Sequence, residues 1–138
     1  MEIEIKNFRS GKNASFCFVF IGGKCRVEEF ILQLKKKNRA SYTKLLAFID
    51  KICESGIELW KGNDEKYKRL EKYKGSTIWE LKQWGIRIFD IEKEKNLILL
   101  DACEKKQNKM SKKNRESLKR SKSILDTLIR EGVINGLG

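Results

Sequence analysis

The chain has 138 residues, 36% of them charged, with a formal net charge of +12 and an isoelectric point near 9.6. That length suits one domain with a real core and excludes two, so residues 1–138 read as a single domain with 132–138 as a flexible tail. The charge favours polyanionic partners, and no run of about 18 apolar residues is present to span a membrane.

Two strand-like runs open the chain. Ile3 and Ile5 alternate with charged residues, and Ser15 to Ile21 reads SFCFVFI, aromatic and β-branched. RSGKN between them reads as a turn, so a β-hairpin is one option. The opening MEIEIKNFRS lacks the basic-then-apolar order of a signal peptide. Gly22-Gly23-Lys24 lacks the surrounding spacing of a phosphate loop and reads as a plain strand-to-helix turn.

Two amphipathic helices are expected next. Val27, Phe30, Ile31 and Leu34 fall on one face of the first; Leu45, Leu46, Ile49, Ile52 and Cys53 fall on one face of the second. Ser41 is the expected N-cap of the second helix, and Gly56 stands where it would end. GIELWKGNDEK is a polar connection, and Tyr67 to Tyr73 adds an extended or turn segment. Three strands then follow in quick succession: TIWELK over 77–82, IRIFDI over 86–91 and LILLDA over 97–102. Their short links argue for an antiparallel meander. A last helix is expected over Lys112 to Arg130, with Ser111 as N-cap and Leu118, Leu125, Leu128 and Ile129 as its apolar stripe.

The candidate chemistry is cationic. From Lys105 to Lys122 the basic residues are Lys105, Lys106, Lys109, Lys112, Lys113, Arg115, Lys119, Arg120 and Lys122, against the single acid Glu116. Such density favours phosphate contacts. The chain has no His, and its four cysteines, Cys17, Cys25, Cys53 and Cys103, form no C-x-x-C pair. No metal site and no cofactor are expected, and any acid–base chemistry must use Lys, Tyr, Asp, Glu or Cys. With no secretion signal, the thiols are expected to be reduced, and the location cytoplasmic.

The ordered stretches WELK (79–82), IRIF (86–89) and LILLDACEKK (97–106), followed by QNKMSKK, resemble the RelE/HigB/ParE toxins of type II toxin–antitoxin pairs. The resemblance covers roughly residues 66–122. It implies an α+β fold: a small, twisted antiparallel sheet with an N-terminal helical hairpin and a C-terminal helix. It also implies a toxin that cuts mRNA on the ribosome by 2′-OH attack on the adjacent phosphate, held in check by a cognate antitoxin protein. Relatives of the ParE branch act on DNA gyrase instead, and a plain basic nucleic-acid-binding module is a third reading.

The motif positions place Lys82, Arg87, Lys105 and Lys106 at the catalytic surface. Lys109, Lys112, Lys113, Arg115, Lys119 and Arg120 are the expected RNA contacts. Arg87 suits phosphorane stabilisation, because its planar fork matches phosphate oxygens. Lys82, Lys105 or Lys106, crowded by other cations, suits the acid or base, with Asp101 and Glu104 as alternatives. The sequence departs from many relatives in carrying Lys82 where they have Arg, and in lacking the His or C-terminal Tyr that some use. Trp60, Trp79 and Trp84 are compatible with base stacking, but core packing is the stronger expectation for all three.

Overall fold

A computed structural model describes residues 2–105 and 112–135. The chain starts with strands β1 (Ile3–Ser10) and β2 (Ser15–Ile21), continues through helices α1 (Arg26–Lys37) and α2 (Arg39–Ser55), and passes a short 3-10 turn at Glu58–Trp60. Strands β3 (Tyr67–Tyr73), β4 (Ser76–Gln83), β5 (Ile86–Lys93) and β6 (Asn96–Glu104) follow, and helix α3 (Lys112–Arg130) comes last. All six strands join one sheet in the order β1-β2-β6-β5-β4-β3.

This architecture corrects the fold that the family resemblance implied. No helical hairpin stands at the N terminus: β1 and β2 come first and pair as a hairpin running from Ile3↔Ile21 to Ser10↔Ser15. The sheet is mixed rather than antiparallel, because β2 lies parallel to β6, with Phe16↔Leu97 and Phe18↔Leu99. The physical reason lies in SFCFVFI. Phe16, Cys17, Phe18 and Val19 are all buried, so β2 needs cover on both faces and on both sides. A central place in a sheet flanked by helices provides it.

The sheet is covered by helices on both faces. On one face α1 and α2 bury Val27, Ile31, Leu45, Ile49 and Ile52 against Phe16, Leu81, Ile88, Leu97 and Leu99. On the other, α3 buries Leu125 and Leu128 against Ile78, Phe89, Ile91, Ile98 and Leu100. Asn38 closes α1 and also caps α2, its Oδ1 accepting from the Ser41 N–H at 3.1 Å; the expected cap, Ser41, lies inside the helix. At the C-terminal end Ile134 is buried in the α3-side core, and Lys93 Nζ donates to the Val133 carbonyl. The expected N-cap Ser111 lies outside the described residues. The four cysteines are free thiols and all are buried.

Candidate nucleic-acid interface

Alternation along β4 and β5 decides which side chains meet. Leu81 and Ile88 pack under α1 and α2, so their neighbours Lys82 and Arg87 face the α3 side. Lys82 and Arg87 are direct cross-strand partners, and Arg87 in turn pairs with Cys103 on β6. Lys105 follows β6, and its backbone N–H donates to the Gly85 carbonyl at 2.6 Å. Three of the four residues expected at the catalytic surface therefore meet at one corner of the sheet. The fourth, Lys106, lies outside the described residues, as does Lys109.

The electrostatics of this corner centre on Lys82, whose side chain is 20% exposed. Its ammonium is held below the usual lysine pKa, mainly by partial burial; the charges of Lys68, Arg87 and Lys105 add to the depression. Glu80 opposes them from 3.9 Å. The Glu80 carboxylate is itself buried and accepts from Asn114 Nδ2 at 3.3 Å, which ties the first turn of α3 to β4.

Arg87 sits deeper than its expected role requires, at 8% exposure. Its Nη1 donates to the carbonyls of Trp84 at 2.5 Å and Ile86 at 2.9 Å. The guanidinium thus holds the β4–β5 turn, while its buried Nε has no hydrogen-bond partner among the described residues. Arg87 contributes a fixed positive charge beneath the corner rather than a free fork above it.

The carboxylates separate cleanly. Asp101, weighed as a base, is 1% exposed and engaged on both oxygens. Arg26 Nε donates to Oδ1 at 3.0 Å; Ser117 Oγ and Arg120 Nε donate to Oδ2 at 2.7 and 2.8 Å. It braces α1 and α3 against β6 and is not disposed to take a proton from substrate. Arg120 is drawn into that brace, whereas Lys112, Lys113, Arg115 and Lys119 lie exposed along α3. Glu104 is exposed at the end of β6.

The sequence signal missed a second cluster, on the opposite side of the β4–β5 turn. There Phe48 and Lys44 of α2, Trp60, Lys66 and Gln83 line a groove of about 700 Å³. Trp84, expected in the core, is 73% exposed beside it. Trp79, by contrast, stacks on the buried Tyr67 ring, with centroids 4.8 Å apart.

Among the described residues no three Cys, Asp or Glu side chains gather as metal ligands would, and no helix is long and apolar enough to cross a membrane. Comparison with known protein families, with curated proteins and with solved structures finds no match to this chain.

Proposed function

We propose that this protein binds nucleic acid by its phosphate backbone, at the corner formed by Lys82, Arg87 and Lys105. The observation that carries the reading is the meeting of these cations, with Lys68 near enough to act on Lys82, against the single close acid Glu80. Crowding like charges costs folding free energy, and a bound polyanion relieves it. The exposed basic residues of α3 start beside this corner and extend the track, as phosphate contacts require.

Binding of a labelled single-stranded oligonucleotide, followed by anisotropy over a range of KCl, tests this. Each phosphate neutralised on a single strand contributes about −0.7 to the slope of log affinity against log salt. The double variant Lys82→Ala with Lys105→Ala is expected to weaken binding and flatten that slope by about one to two. An unchanged slope would remove the corner from the interface.

A second reading, RNA cleavage by a growth-arresting toxin, is favoured by one observation, the depressed pKa of Lys82. A lysine that gives up its proton more easily suits a general base for the ribose 2′-OH, with Arg87 and Lys105 as the positive field around the phosphate. An acidic antitoxin would then neutralise the corner. Lys82→Arg keeps the charge and removes the titration, so it is expected to retain RNA binding while losing cleavage and growth arrest. Cleavage at the wild-type rate by that variant would refute the role of Lys82.

A further inference from the structure

The groove on the α2 side of the sheet has the makings of a base-reading site. Phe48 and Trp60 form its floor, edge to face with centroids 5.0 Å apart, and the Trp60 indole is oriented by its Nε1–H donating to Ser55 Oγ at 3.0 Å. Gln83 lines the groove at 8% exposure. An amide placed there offers one acceptor and two donors, the complement of a nucleobase edge.

The rim carries Lys44, Lys51 and Lys66 against the acids Asp50 and Glu54, and Asp50 is itself faced by Arg9 at 3.6 Å. Lys66 Nζ stands 5.7 Å from the Phe48 ring centre, and Lys44 Nζ stands 5.2 Å from that of Trp84. Trp84 supplies a second, independent observation. It occupies the left-handed backbone region, at φ 51°, with its indole largely in solvent. Lys74 and Glu94 take the same backbone region in the β3–β4 and β5–β6 turns, so what sets Trp84 apart is its exposed ring. Its exposed ring face does offer a stacking platform.

We infer that this groove and Trp84 hold unpaired bases of a single-stranded nucleic acid, with Gln83 reading a base edge. The inference rests on the nucleic-acid reading above and narrows it to single strands, because a duplex hides the base faces that Trp84 and Trp60 would meet. The β4–β5 turn joins the two sites. Arg87 grips the Trp84 carbonyl from the phosphate side while the Trp84 ring stands by Lys44 on the groove side. A strand crossing the turn would present phosphates to one side and bases to the other.

The test compares a short oligonucleotide with an abasic strand of the same length, and with a duplex. Wild-type protein is expected to bind the base-bearing single strand about five- to tenfold more tightly than the abasic strand, since one stacked base contributes about 1 kcal/mol or more. Trp84→Ala, on an exposed turn, is expected to abolish most of that preference. Gln83→Leu is expected to change the ranking of homopolymeric strands. Equal wild-type binding of base-bearing and abasic strands, tighter binding of the duplex, or an intact preference in Trp84→Ala would each overturn the groove while leaving the phosphate corner standing. Failure of every strand to bind would overturn both.

Discussion

Asp90→Asn is expected to make the protein more stable at pH 8 and to leave its stability near pH 4 almost unchanged. Asp90 is fully buried on the α1–α2 side of β5. The Tyr67 hydroxyl donates to its Oδ1 at 2.6 Å, and its Oδ2 has no partner among the described residues. Burial raises the carboxyl well above its ordinary pKa, and the Tyr67 hydrogen bond only partly offsets this. The folded state therefore holds the proton at pH values where the unfolded chain has released it. Stability is complete below the unfolded pKa of about 4 and falls as pH rises towards the folded pKa, by about 1.4 kcal/mol for each pH unit in that window. An Asn keeps an acceptor for the Tyr67 hydroxyl and carries no proton to lose. Urea unfolding of both proteins from pH 4 to pH 8 measures it; parallel pH dependences would show that Asp90 is not the group responsible.

Removing the Asp101 carboxylate is expected to have a comparable effect in the opposite direction. Asp101→Ala takes away the shared acceptor of Arg26, Ser117 and Arg120. Breaking a buried ion pair costs about 3–5 kcal/mol, and the lower end applies because both arginine side chains reach solvent. In a chain of this size that corresponds to a melting temperature lower by about 10 °C. Amide exchange should speed up first in the N-terminal half of α3, whose attachment to β6 runs through Ser117 and Arg120. A variant that melts with the wild type would show that the brace carries no stability.

The sequence made most of the elements and their local antiparallel pairings legible, but not how the N-terminal hairpin joins the later strands. Period 3.6 in Val27–Leu34 and Leu45–Cys53, and period 2 in TIWELK and IRIFDI, are local signals, and α1, α2, β4 and β5 lie where those signals fall. The pairing of β2 with β6 joins segments about 80 residues apart, and neither strand carries a mark of its partner beyond continuous apolar character. The same limit hid the roles of the charged strand residues: nothing local to Arg87 could reveal that carbonyls of the β4–β5 turn would engage it.

Asp101 looked available for chemistry because its partners, Arg26, Ser117 and Arg120, come from two helices remote in sequence. Asp90 likewise sits one residue from Phe89 and reads as a polar strand position, but the register shift between them and the stacked Tyr67–Trp79 pair enclose it. Phe48, Trp60 and Gln83 come together from three separate segments, so the groove has no linear signature. Trp84 stands before Gly85 in the short link between two strand-like runs, and its exposure departs from the core packing expected of it.

The claim that phosphates bind where β4, β5 and β6 end beside α3 is tested most directly by mapping backbone amide shifts of the labelled protein as a short single-stranded oligonucleotide is added. The largest changes are expected to cluster at Lys82, Gly85, Arg87 and Lys105 and along the first turns of α3, and to reverse on raising the salt. Changes confined to the β1 edge or to the far end of α3, with the β4–β5 turn silent, would contradict it.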